Sequence, residues 1–330
     1  MPELETNYIV LDLEWTGHPE GAGKSKSDFP FEIIEIGAVK LNSRLEVTSE
    51  FSEYVKPQVF EDLHYKIKEM LHLHLSDLTR ADPFDVVIRR FFSWCGTGYR
   101  FCTWGSMDLT ELQRNLAYYQ IQDAFTKPIL YYDLQHIFSI IMEDPMPKSL
   151  EYATDYMGLP KNAPFHSALE DARYTASVFQ NMDLSLVHRN YSVDYYRHPK
   201  TRAEEINLVF DNYTQFISRE FHKREDALKT RRVYSLYCPI CNMRCGKLIR
   251  WFGTNTKNYY SLACCKKHGL FEGKAHVKRT PQGNYFVIKT TRLVTEKEAQ
   301  ALRDRYDMLL NKKNEKLKQK KEQARQARKK

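Results

Sequence analysis

Residues 8–15, YIVLDLEW, place two carboxylates, Asp12 and Glu14, inside an otherwise apolar run. A run of this length and composition reads as a strand, and residues two apart in a strand share a face, so both acids project side by side. Two like charges held together beside a core are unfavourable unless something positive lies between them. The segment is therefore part of a site for a divalent cation, or a half-exposed strand with a polar face; taken alone it leaves both open. The residues that follow, Gly17 to Ser25 (GHPEGAGKS), resemble a glycine loop that cradles phosphate. The spacing fails, because such a loop needs four residues between its first glycine and its Gly-Lys pair, and five separate Gly17 from Gly23. Pro30 and the extended FEIIEIGAVKL also arrive too soon for the helix that would complete a phosphate site. A solvated loop is the reading kept for this stretch.

Three strands open the chain, about NYIVLDL, IIEIGAVKL and SEFSEYV, with a turn at Asn42–Ser43. Helix and strand signals then alternate. PFDVVIRRFFSWC has helical spacing after Pro83, YRFCTW is strand-like, and SMDLTELQRNLAYYQI opens with Ser106 as its N-cap. DLQHIFSIIM, SLEYATDYMGL and SALEDARYTASVFQNM supply further helices. This order predicts an α/β domain over residues 1–185, a mixed sheet covered by helices. Between Arg202 and about Leu228, the residues Ile206, Val209, Phe210, Tyr213, Phe216, Ile217 and Phe221 fall along one side of an amphipathic helix, so residues 186–235 are expected to form a helical linker. Residues 236–294 read as a small β-rich, cysteine-rich module, and residues 295–330 as a basic helical tail.

Charge divides the chain in the same way. Residues 1–185 carry 16 Lys+Arg against 28 Asp+Glu, and residues 186–330 carry 34 against 14, within a formal net charge of +8. An acidic front suits a metal site, and a basic rear suits a polyanion. The tail NEKLKQKKEQARQARKK also reads as a solvated, fraying helix end. No apolar stretch approaches the length of a membrane span, and no signal pattern opens the chain, so no membrane association and a cytoplasmic location are expected. Five of the seven cysteines lie between Cys238 and Cys265; in a reducing cytosol such crowding points to metal rather than disulfides.

TWGSMDLTEL places Asp108 in the first turn of a helix just after a strand, and HSALEDA places His166 and Asp171 five apart at another helix. Residues at that spacing diverge by about 140° around a helix, so both approach one site more easily from a frayed first turn. Together these residues resemble the DEDDh branch of the DnaQ-like exonucleases, on a ribonuclease-H-like fold. Asp12 and Glu14 match the first motif, Asp108 the second, and His166 with Asp171 the H-x(4)-D third. FPFEIIEIGAV, FSEYVKP, FCTWGSMDL, YYDLQ and HSALEDA are similar to the Eri and KapD-like subgroup, which is associated with 3′-to-5′ trimming of RNA. The resemblance covers roughly residues 7–183; Trp15 departs from it, since many relatives have a smaller or different residue there.

The resemblance implies hydrolysis with two Mg²⁺ or Mn²⁺ ions held roughly 4 Å apart by Asp12, Glu14, Asp108 and Asp171. It implies His166 as general base, an imidazole being suited to proton transfer near neutral pH. Trp15 and Thr16 would meet the terminal nucleotide, Trp15 by stacking on its base, with a core tryptophan as the alternative. Trp104 reads as core. The expected partner is nucleic acid, with RNA favoured over DNA; protein partners are left unknown. The rival readings are a DNA proofreading or repair exonuclease of the same fold, and a non-enzymatic regulator that binds partners.

In the rear module, CPICNMRC opens with Cys238-x-x-Cys241, and CKKHG supplies Cys265-x-x-His268. Two such knuckles across a β-rich interval fit a structural zinc ribbon with soft tetrahedral ligands, against the alternative of free cysteines in a core. Asn242 suits the left-handed turn that closes a knuckle. Cys245 and Cys264 are alternate ligands, and the choice between Cys264 and Cys265 stays open. Arg250, Lys257, Lys266, Lys267, Lys274, Lys278 and Arg279, with Trp251, Tyr259 and Tyr260, would either meet nucleic acid or form an ordinary basic surface.

Overall fold

The structure, a computed structural model, describes residues 6–18, 29–60, 75–122, 125, 128–144, 146–211, 213–280 and 282–327. Most of the glycine-rich loop, residues 19–28, lies outside the described residues. The chain separates into two compact units, Met1–Tyr196 and Arg197–Lys330.

In the first unit, β1 (Asn7–Gly17), β2 (Phe31–Leu41) and β3 (Val47–Tyr54) form an antiparallel meander. The chain continues through α1 (Leu75–Arg80), α2 (Phe84–Cys95), β4 (Tyr99–Thr103), α3 (Met107–Tyr118), β5 (Leu130–Asp133) and α4 (Leu134–Ile141). It ends with α5 (Leu150–Tyr156), α6 (Ala168–Gln180), α7 (Leu184–Arg189) and the short β6 (Ser192–Val193). The sheet order is β3-β2-β1-β4-β5-β6, with β1, β4 and β5 mutually parallel. This is the mixed, helix-covered sheet expected of a ribonuclease-H-like chain. Alternation along β1 decides where its acids point. Tyr8 and Val10 pack with α4 and α6, whereas Ile9, Leu11 and Leu13 pack with α2 and α3. Asp12 and Glu14 continue the even-numbered side, so they face the α6 layer.

The second unit comprises β7 (Ile206–Val209), β8 (Tyr213–Ile217), α8 (Arg224–Lys229), α9 (Arg231–Tyr234), β9 (Leu236–Tyr237) and β10 (Arg244–Cys245). β11 (Lys247–Gly253), β12 (Asn258–Cys265), β13 (Gly269–Arg279), β14 (Tyr285–Leu293) and α10 (Glu296–Ala327) follow. The antiparallel order β11-β12-β13-β14-β8-β7 overturns the expected linker helix: residues 206–217 form a hairpin that extends the rear sheet. The apolar residues there satisfy helical spacing, but they are mostly β-branched or aromatic and are interrupted by Asp211-Asn212, a turn signal. Pairing with β14 buries Phe216 and Ile217, a gain unavailable to an isolated helix. Ala299 and Leu302 of α10 are buried with Ile249 and Leu262. Among the described residues no helix is long and apolar enough to cross a membrane.

Candidate active site

The site is organised by the seating of α6 on β2. Asp12 lies opposite Gly37 in the sheet, and Glu14 opposite Glu35. A Cβ added at Gly37 would sit 2.0 Å from the Ala168 carbonyl carbon, so the glycine allows the first residue of α6 to rest on the strand. Ser167, at the N-cap position, makes no side-chain cap bond of its own. Glu35 serves instead, accepting from Ser167 Oγ at 3.2 Å and from the backbone N–H groups of Ala168 and Leu169. It is 3% exposed; burial raises its pKa, and the N–H groups work against that rise.

His166 precedes the helix rather than belonging to it. Its φ of 75° is left-handed, and its N–H donates to Asp171 Oδ2 at 3.2 Å. That turn resolves the five-residue spacing, because only Asp171 is governed by the helical twist. The imidazole is exposed, and ligand atoms of Glu14, His166 and Asp171 all lie within 4.8 Å of one another.

Asp108 sits in the first turn of α3, 6% exposed, and accepts from the Leu13 N–H at 3.2 Å. Ser106 holds the N-cap position as expected but makes no side-chain cap bond; Asp108 accepts from its own N–H. These carboxyls resist ionisation together. Burial first, then Asp108, Asp171, Glu14 and Glu35, pushes Asp12 well above its usual range. Burial, then Asp171, Glu35 and Asp108, lifts Glu14 to about 8. Burial lifts Asp108 to about 7 and Asp171 to about 6, in both cases against lowering hydrogen bonds. Asp171 Oδ1 is buried with no hydrogen-bond partner among the described residues. An orphaned oxygen among carboxyls that repel one another is the donor set a hard divalent cation fits.

This arrangement predicts a pH signature. Glu14 contributes stability that is complete below its unfolded value near 4.5 and lost as pH rises through about 8. Without added Mg²⁺ or Mn²⁺, the Glu14→Gln chain should therefore gain in melting temperature over wild type between pH 5 and pH 9, and added Mg²⁺ should close the gap. A difference independent of pH would contradict the geometry.

The register shifts between Glu14 and Trp15. Trp15 is half-buried, packs on the α2–α3 layer and lies 6.0 Å from the Phe31 ring. Thr16 is fully buried at the end of β1. Trp104 packs into the core, with Nε1 donating to the Lys148 carbonyl. The residue the motif reading missed is Glu35. Its signal was an acid inside the apolar IIEIGAV, two residues before the glycine that admits α6. Glu35→Ala should cost about 1–2 kcal/mol, the worth of a helix cap, with Glu35→Gln recovering part; urea denaturation measures both. Equal stability of all three chains would remove Glu35 from this role.

In the second unit, ligand atoms of Cys238, Cys241, Cys265 and His268 all lie within 4.8 Å of one another. Cys241 Sγ is 3.7 Å from Cys265 Sγ, and His268 Nδ1 is 3.4 Å from Cys238 Sγ and 3.7 Å from Cys265 Sγ. A tetrahedron with Zn–S near 2.3 Å and Zn–N near 2.0 Å has edges of about 3.5–3.8 Å. Asn242 (φ 56°) and Gly269 (φ 82°) sit at the ends of the two knuckles in the left-handed region. The N–H of Lys267, aided by that of His268, brings the Cys265 thiol down to about 6. Alternation along β12 buries Cys265, which belongs to the cluster, and exposes Cys264. Cys245 Sγ donates to the Met243 carbonyl at 3.3 Å and also lies within hydrogen-bonding reach of Cys265. Trp251 and Tyr259 pack against one apolar cluster of the unit and Tyr260 against Leu262 in another, and all three are half-buried.

A sequence model of the family described as Exonuclease (RNase_T) matches residues 9–179, inside the first unit. "Probable 3'-5' exonuclease KapD" from Bacillus subtilis is 28% identical over 208 residues, covering 62% of this chain and 97% of that protein. "3'-5' exoribonuclease 1" from Mus musculus is 27% identical over 192 residues, covering 53% of each, so the chain spans about half the length of that relative. Among solved structures, the nuclease domain of 3'hExo, a DEDDh family member bound to rAMP, has 20% identity and a TM-score of 0.49, with 58% of this chain and 98% of that chain covered.

Proposed function

This chain belongs to the exonuclease family RNase_T, and from that membership we propose that it removes nucleotides one at a time from the 3′ end of RNA, releasing nucleoside 5′-monophosphates. One observation carries the reading: Glu14, His166 and Asp171 converge beside Asp12 and Asp108, with Asp171 Oδ1 lacking a partner among the described residues. Asp12, Glu14, Asp108 and Asp171 would hold two Mg²⁺ or Mn²⁺ ions. When bound, such ions acidify water and neutralise charge developing on the phosphate. His166, exposed at the mouth of the cluster, takes the proton of the attacking water. Trp15 offers a ring face to the terminal base. That two of the similar proteins are named exoribonucleases supports RNA as the substrate of this chain.

Cys238, Cys241, Cys265 and His268 would hold a structural zinc, supported by their near-tetrahedral spacing. All seven cysteines stand outside disulfides, which suits the reducing cytoplasm.

The deciding assay uses purified protein with Mg²⁺ or Mn²⁺ on RNA and DNA strands of matched sequence, labelled at either end. The 5′-labelled strand should shorten stepwise while the 3′ label leaves at once as a mononucleotide. RNA should be consumed faster, through contact with the 2′-OH. Internal cuts would overturn the exonuclease reading, and equal turnover at several salt concentrations would reject the RNA preference.

A further inference from the structure

The second unit contains a cleft of about 850 Å³, a size typical of ligand sites, bordered by the start of α8, the β11–β12 turn and β13. Its lining brings together Lys223, Arg224, Lys257, Lys278 and Arg279 against a single carboxylate, Glu225. Arg224 is engaged locally, donating to the Thr256 carbonyl at 3.2 Å and lying 3.4 Å from Glu225. Lys223, Lys257 and Arg279 are exposed. His276, also in the lining, is bonded through Nδ1 to Asn258 Oδ1 at 2.6 Å. Burial first, then Lys278, Lys274 and Lys257, pushes it down to about 4. Near neutral pH it is thus uncharged, and the cleft's charge comes from its lysines and arginines.

We propose that this cleft binds the phosphodiester backbone of single-stranded RNA without reading its sequence. Five cationic side chains around one concavity match a chain of phosphates, and each phosphate contact releases counterions. Trp251 and Tyr259 lie outside the lining, half-buried against the unit's core, and Tyr285 is the one large aromatic ring in the lining, so base stacking contributes little. The choice of RNA over another polyanion rests on the proposed function. The cleft draws on Lys223 and Arg224, which precede the cysteine module, as well as Lys257, Lys278 and Arg279 within it.

The test measures binding of an unstructured, fluorescently labelled RNA of about 20 nucleotides by anisotropy across a range of KCl concentrations. All proteins are full-length and carry Asp12→Asn to prevent cleavage. Adding Lys257→Gln with Arg279→Gln should weaken binding about tenfold near physiological salt and lower the salt slope by about 1.4, or 0.7 for each lost phosphate contact. Lys223→Gln with Lys257→Gln, both at exposed positions, should do the same. Lys312→Gln with Lys313→Gln, on the exposed part of α10, should change binding far less. Unchanged binding in both cleft variants, an equal loss in the α10 variant, or competition by polyglutamate as effective as by RNA would each overturn the proposal. Failure of the exonuclease reading is distinguishable, because binding is read on RNA recovered at full length and needs no turnover.

Discussion

Asp12→Asn and Asp171→Asn chains should degrade RNA at least about 10³-fold more slowly than wild type, a loss of about 4 kcal/mol of transition-state stabilisation. Without added Mg²⁺ or Mn²⁺, Asp12→Asn should melt at or above the wild-type temperature. The two effects have one cause. Asp12 is raised first by burial and then by Asp108, Asp171, Glu14 and Glu35, so its ionised form opposes folding until cations are bound. Removing the charge relieves the fold and removes a ligand together. Asp171→Asn keeps an oxygen for the His166 N–H while losing the charge at the partnerless Oδ1. Turnover assays paired with melting curves, each with and without Mg²⁺, separate catalytic loss from unfolding. Near-wild-type turnover in either variant, with normal melting, would end the assignment of these carboxylates.

Wild-type protein should carry one zinc per chain by elemental analysis, and Cys238→Ser should carry none. Zinc-finger peptides gain about 10–16 kcal/mol from such a site. Here the loss should be smaller, on the order of several kcal/mol, because Phe216, Ala275, Val277 and Val287 form an apolar core elsewhere in the same unit. Hydrogen exchange should quicken in β9, β10 and the ends of β12 and β13 while the first unit stays protected. Cys264→Ser should retain full zinc, since that side chain points away from the cluster. Zinc retained in Cys238→Ser, or lost in Cys264→Ser, would assign the ligands differently.

Local chemistry already specified much of this. An apolar run with acids two apart made β1, its neighbours read as strands, and paired Cys-x-x-Cys and Cys-x-x-His spacings marked a soft-ligand cluster, because such signals depend on periods of two and on short knuckles. The H-x(4)-D motif paired two residues whose ligand atoms lie together with that of Glu14, but a helical reading set them on diverging faces. The left-handed turn at His166 and the seating of α6 on Gly37 reconcile them, and both exist only when β2 is beside the helix. Glu35 likewise had no visible task until a helix from more than a hundred residues away needed a cap. Residues 206–217 show the opposite failure: their spacing suited a helix, and pairing with β14, distant in sequence, made them strands. The basic cleft follows the same rule, since a list of lysines and arginines does not say which of them share a concavity. Periodicity and spacing act over a few bonds and are written along the chain; convergence of charges, caps and strand partners is decided by burial across long sequence separations, where the folded packing selects among options that are locally equivalent.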